Sequence, residues 1–370
     1  MSAGRLRPLD GVRGIAVSLV ILHHYTEEGF LQDLGNLGVQ LFFVLSGFLI
    51  TGILLDLRDS LETTDIELGD VLSRFWQSRA ARILPVVVLT LAGVAVIGDR
   101  IEPRDNLIWH ATFTSNVLFF LRGDYHSNLA HFWSLAVEQQ FYLTWPFIIL
   151  LVRRRALEPF VICLIVLAPL TRFALFSAGY TNFAQYNVLP VSNFDSLGAG
   201  ALLALWVRNE SDTANRRFHL LGVLATAAVV AFAANRALGR VPWNTEQFFT
   251  AIMSAWLIGT IVRYPLSMPA RALKFKPLVA LGIISYGVYA YHVFAPRGVG
   301  FVLRALHAPE SLQSGVPLYL LSFVSTLVVA AGSWHLMERP INEARRRWQE
   351  RSTMKALTRA AEAEQLRATE

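Results

Sequence analysis

The residues able to do chemistry in this chain sit inside apolar surroundings, where their types and spacing are informative. Arg13 and His24 are eleven positions apart in the stretch Leu9 to Tyr25. On a helix that is close to three turns, so both share one face about 16 Å apart along the axis. A guanidinium grips anions in a fixed fork, and an imidazole takes or gives a proton near neutral pH. From spacing alone His24 reads equally as a base at mid-membrane depth or as a hydrogen-bonded packing residue. Ser134, Glu138 and Tyr142 follow at four-residue spacing and share a second face. A carboxylate at that depth needs a partner or a wet cavity, and the candidates for partner are a histidine or Arg172. Arg79 and Arg82, three apart, would hold phosphate oxygens, anchor the topology or touch lipid headgroups. Ser285, Tyr289 and His292 form a third polar stripe, of the kind that lines a cavity. Arg172 and His292 are expected in the outer half, against an acceptor together with Ser134 and Tyr142.

The elements that must position these residues are membrane helices. Of 370 residues 54% are hydrophobic and only 16% are charged, with 24 Phe and 9 Trp, and the mean hydropathy is +0.43. One soluble core cannot hide that much apolar surface, and an ionisable group inside such a chain is a functional hypothesis by default. Ten apolar stretches are long enough to cross a bilayer, near 12–27, 37–55, 83–99, 133–152, 158–177, 194–208, 217–235, 245–263, 278–296 and 316–337. The expected fold is all-α and polytopic, with about ten transmembrane helices. An even count puts both termini on one side. Most of the 33 basic residues then fall on that same side, including Arg5, Arg153 to Arg155 and Arg345 to Arg347, which predicts cytoplasmic termini. The single cysteine, Cys163, excludes a disulfide framework and a cysteine metal site, and no metal is expected. Nucleic acid is excluded as a partner because the basic residues are dispersed between apolar runs instead of forming one face. The first apolar run holds His23 and His24 and lacks a cleavage site, so it is expected to remain as a span.

The chain resembles the membrane acyltransferase-3 family of bacterial O-acyltransferases. The resemblance is carried by Leu9-Asp10-Gly11-Val12-Arg13-Gly14-Ile15-Ala16 with His24, by Gly38 to Ile50, and by Arg79-Ala80-Ala81-Arg82-Ile83-Leu84-Pro85. It continues through Trp133-Ser134-Leu135 with Glu138 and Phe141-Tyr142, Phe194-Asp195 with Gly198 and Gly200, Ser285-Tyr286-Gly287-Val288-Tyr289 with His292, and Glu338-Arg339-Pro340. The resemblance implies a transmembrane acyltransferase domain over 1–340 with a charged cytoplasmic tail over 341–370, in the stand-alone form, in the bacterial inner membrane. It implies transfer of an acyl group, acetyl above all, from acyl-CoA to a hydroxyl of a carbohydrate, surface glycan or macrolide-type product. His24 becomes the catalytic histidine, Arg13 its motif partner, Arg79 and Arg82 the contacts for CoA phosphates, and Glu138 an active-site acid that orients the His24 ring. Direct transfer and an acyl-histidine intermediate both remain open. A transporter or flippase for an acylated or lipid-linked substrate uses a similar inventory, although no internal repeat is visible. A regulatory scaffold would leave Arg13, His24 and Glu138 without a reason.

Overall fold

A computed structural model describes residues 7–26, 34–64, 66–97, 103–125, 127–208, 212–238 and 246–351. Arg5 and the tail beyond Arg351, both used in the orientation argument, lie outside the described residues. The helices in chain order are α1 (Arg7–His24), α2 (Leu34–Thr63), α3 (Leu68–Ile97), α4 (Leu107–Ala111), α5 (Ser115–Arg122), α6 (Phe132–Leu151), α7 (Arg154–Ser177) and α8 (Phe183–Tyr186). They continue as α9 (Phe194–Val207), α10 (Asp212–Leu238), α11 (Glu246–Arg263), α12 (Met268–Ala272), α13 (Lys276–Ile283), α14 (Ser285–Tyr291), α15 (Ala295–Ala305) and α16 (Gly315–Ser333). A π-turn over Trp334–Glu338 prolongs α16, so that one helix runs from Gly315 to Arg351. The described residues contain no strand.

Each of the ten apolar stretches falls mainly on helix, but they are not equal. Five helices, α2, α3, α7, α10 and the α16 helix, are long and apolar enough to cross a membrane by length and composition. On four of them apolar side chains point outward, as with Val88, Leu89 and Val96 on α3, Val166 and Leu170 on α7, Val223 and Val230 on α10, and Val324 and Val328 on α16, whereas α2 is mostly buried at the centre. A soluble protein would cover such faces, and here lipid is the natural partner. The chain is an integral membrane protein. The stretch expected at 278–296 is broken at Ile284 into α13 and α14, and α9 has only 14 residues, about 21 Å of helix.

Close backbone approach organises the centre. Gly47 of α2 lies against the Leu197 carbonyl of α9, while Gly200 of α9 lies against the Val44 carbonyl of α2. Gly11 of α1 abuts the Leu273 carbonyl, and Gly282 of α13 abuts the carbonyl of Asp10. No Cβ fits at any of these positions, which is the small-residue packing that membrane helices use. The Trp145 indole on α6 donates to the Thr51 hydroxyl at 2.8 Å, and Arg58 Nη1 caps the end of α6 on the carbonyls of Ile149 and Val152, each at 2.7 Å. Trp76 Nε1 of α3 donates to the Tyr142 carbonyl of α6 at 3.1 Å and the Tyr286 hydroxyl of α14 to the Ile83 carbonyl of α3 at 3.2 Å, so that α1, α2, α3, α6 and α14 surround a central space.

Candidate active site

That space is an open cavity of about 790 Å³. Arg13 of α1 and Arg79 and Arg82 of α3 line one end. Ser46, Glu138 and Tyr142 form the wall, and Phe42, Ser134 and Tyr289 lie toward the other end. The order follows from α6, where Ser134, Glu138 and Tyr142 repeat every four residues and climb about 12 Å.

The arginine end is short of negative charge. Arg13 bonds Asp10 on its own helix at 3.3 Å, a contact of limited strength between residues three apart. Arg79 gives one bond to the Ser78 hydroxyl at 3.3 Å, and its Nε is buried with no hydrogen-bond partner among the described residues. No carboxylate bridges Arg79 or Arg82 among the described residues. A buried guanidinium without a counter-charge is costly, and an anionic ligand would satisfy it.

Glu138 was expected beside a histidine or Arg172, and the structure places it elsewhere. Its Oε1 accepts from the Tyr142 hydroxyl at 2.6 Å and from Ser46 Oγ. Arg172 instead lies fully buried, with Nη2 on Asp195 Oδ2 at 2.7 Å and Nη1 on the Ser192 carbonyl. A fully buried guanidinium requires a carboxylate of its own, and α9 supplies Asp195 across the α7 to α9 packing, far from α6 in sequence. Gln247 Nε2 closes the same network on Asp195 Oδ1 at 3.1 Å. Arg172 therefore lines no part of the cavity.

His24 is the last residue of α1, and its side chain is exposed rather than deep within a helix. Because α1 already begins at Arg7, the whole helix is used up by the time it reaches His24. The ring is oriented by the Val20 carbonyl, 2.9 Å from Nδ1, and not by Glu138. A carbonyl can only accept, so Nδ1 carries the hydrogen and Nε2 keeps a lone pair. The His24 ring packs edge to face on His292, 4.7 Å between centroids, and His292 in turn lies 5.3 Å from His131. His292 is fully buried, with Nδ1 on the Tyr289 carbonyl at 2.7 Å.

Of the residues singled out from sequence, Arg13, Arg79, Arg82, Ser134, Glu138 and Tyr142 share the cavity, and His24 and His292 form a histidine cluster beside it. Sequence reasoning passes over Ser46, which reads as helix packing, and over Asp10, Asp195 and His131, and it gives Tyr289 no role beyond its polar stripe. Asp195 carried a usable signal, because a second ionisable residue at depth is the natural match for Arg172.

Among known proteins, the chain is 28% identical over 365 residues to the peptidoglycan O-acetyltransferase OatA of Listeria monocytogenes, covering 90% of this chain and 55% of that one. It is 25% identical over 363 residues to the O-acetyltransferase OatA of Staphylococcus aureus, covering 90% of this chain and 57% of that one. The chain thus spans a little over half the length of these relatives. The family model described as an acyltransferase domain matches residues 7–335, which takes in the cavity and the histidine cluster alike, and the chain belongs to the acyltransferase-3 family.

Proposed function

We propose that this chain is a membrane O-acyltransferase, with both termini cytoplasmic, that moves an acetyl group from acetyl-CoA to a hydroxyl of a surface glycan. The observation that carries the reading is the cavity itself, with three arginines short of carboxylates at one end and the histidine cluster beyond the other. The name of the Listeria monocytogenes relative, a peptidoglycan O-acetyltransferase, supports a carbohydrate acceptor. The residues at the arginine end fit a polyanionic donor, since Arg79 Nε lacks an acceptor among the described residues and Arg13 bonds only the Asp10 of its own helix. Arg79 and Arg82 hold donor phosphates, and Arg13 guides the thioester arm along the face it shares with His24. The roughly 16 Å between Arg13 and His24 matches an extended arm that leads from a phosphate site to a reacting carbonyl.

At the far end, His24 Nε2 removes the proton of the acceptor hydroxyl as its oxygen bonds the thioester carbonyl. The carbon–sulfur bond breaks, and the same imidazolium returns the proton to the departing sulfur, so atoms and charge balance. Val20 holds the productive tautomer. Glu138 offsets part of the arginine charge and fixes the hydroxyls of Ser46 and Tyr142 along the wall.

The test is acetyl transfer from labelled acetyl-CoA to a glycan acceptor by purified protein in nanodiscs. His24→Ala should lower the rate by about 10²-fold to 10⁴-fold, the usual worth of a positioned base, while size-exclusion profile and thermal unfolding stay normal. Undiminished transfer by the folded variant refutes His24 as the base.

A further inference from the structure

The helix that runs from Gly315 to Arg351 brings a fourth arginine to the arginine end. Its last turns lie antiparallel to α3, because successive residues meet α3 in descending order. Glu338 feels the charge of Arg82, Asn342 Nδ2 reaches the Ala81 carbonyl at 3.5 Å, and Arg345 acts electrostatically on Arg79. Three helical residues rise about 4.5 Å, so Arg345 comes level with the start of the arginine pair, one turn beyond Asn342. Arg345 is not among the residues that line the cavity and therefore stands just outside that end. Its own bonds are to neutral groups. Nη1 donates to Gln349 Oε1 at 2.7 Å, and Nε is buried with no hydrogen-bond partner among the described residues. The carboxylates of the same helix are engaged elsewhere, Glu343 with Arg339 at 2.7 Å and Glu338 with the Ser333 hydroxyl at 3.1 Å. A guanidinium held near a second one, with a buried N–H unused, is costly until an anion joins them.

We propose that Arg345 holds the phosphate monoester on the ribose of the acyl-CoA donor, and so selects coenzyme A over donors that lack this group. The inference rests on the acyl-CoA reading above. Coenzyme A is anionic at two places, the pyrophosphate between its thioester arm and its adenosine, and the monoester on the ribose beyond. With the arm directed into the cavity and the pyrophosphate on Arg79 and Arg82, the ribose is left outside, where Arg345 stands. A monoester carries more than one negative charge at neutral pH and offers three acceptor oxygens. It takes the unused Nε–H of Arg345 while Arg79 stays on the pyrophosphate. A lipid headgroup offers the same phosphate chemistry, and the experiment separates the two.

Acetyl-CoA and acetyl-dephospho-CoA, which differ only in that monoester, are compared as donors to one glycan acceptor by kcat/KM. The full chain is used in nanodiscs of phosphatidylcholine, and again with phosphatidylglycerol added. The wild type should favour acetyl-CoA by at least about tenfold, the scale of one charge-assisted hydrogen bond. Arg345→Ala should bring the ratio of the two donors close to one, by slowing acetyl-CoA far more than acetyl-dephospho-CoA. Arg345→Lys keeps the charge without the Nε–H, so it should lower the ratio less, and it serves should the Ala variant fail to fold. Equal use of both donors by the wild type overturns the proposal. A folded Ala or Lys variant with the wild-type ratio also overturns it, and leaves Arg79 and Arg82 as assigned. A loss common to both donors that appears only with phosphatidylglycerol assigns Arg345 to lipid headgroups and overturns it likewise. Transfer from neither donor by the wild type overturns the acyl-CoA reading together with this one.

Discussion

Two sets of arginines lie inside this bundle, Arg172 fully buried and Arg79 with Arg82 half-buried, and they are treated in opposite ways. Arg172 has both terminal nitrogens occupied, one by Asp195 and one by the Ser192 carbonyl, with Gln247 bracing the carboxylate. Arg79 and Arg82 face an open cavity with no carboxylate bridging them among the described residues. Nε finds no acceptor there in either Arg79 or Arg172, so the difference lies in the counter-charge and not in that one nitrogen. Depth in an apolar bundle is common to both, so depth alone does not identify a working charge. A buried charge that has found its counter-charge ties helices together, whereas one left without it is waiting for a ligand.

The contrast can be broken most directly at Arg172. Arg172→Ala strands Asp195 in the core and should cost about 3–5 kcal/mol of stability, read as a large fall in the thermal unfolding midpoint in detergent. An unshifted midpoint would remove the distinction. Next in size, Arg79→Ala combined with Arg82→Ala should raise the acetyl-CoA concentration for half-maximal rate by at least about a hundredfold, at about 1.5–3 kcal/mol for each charge-assisted hydrogen bond to the donor, with unfolding little changed. Unchanged donor dependence would make these arginines topology anchors. Gly200→Ala should sharpen the scale, since its methyl meets the Val44 carbonyl and overpacking costs about 1–3 kcal/mol. Thermal unfolding with and without acetyl-CoA would show whether that loss is purely structural. The smallest effect belongs to Arg154, whose ion pairs with Glu62 at 3.0 Å and with Asp59 are both half-exposed. Arg154→Ala should leave unfolding and transfer close to wild type, as exposed pairs contribute little.

The cavity residues were legible because ionisable groups inside apolar runs are conspicuous, and helical spacing put Ser134, Glu138 and Tyr142 on one wall, where they stand. Their partners were not legible. Glu138 finds Ser46 only because α2 crosses α6, and Arg172 finds Asp195 only because α7 packs on α9. Such contacts join residues tens of positions apart, and one helical period carries no record of them. The break at Ile284 was hidden for a different reason. Hydropathy runs unbroken through Ile284, where the backbone nonetheless turns between α13 and α14. Arg345 was hidden by its neighbours, since with Arg346 and Arg347 it reads as an orientation signal, and only its place beside Arg79 sets it apart.

The π-turn at Trp334–Glu338 bears on the arginines from outside the cavity. One extra residue in a helical turn advances everything beyond it by about 100°. With that advance, Asn342 Nδ2 bonds the Glu338 carbonyl at 2.8 Å and reaches the carbonyl of Ala81 at 3.5 Å, between Arg79 and Arg82. The bulge thus sets the phase of the terminal helix. Deleting a single residue there would keep the helix whole yet rotate its braced face away from α3, detuning the phosphate end without touching any residue that lines it.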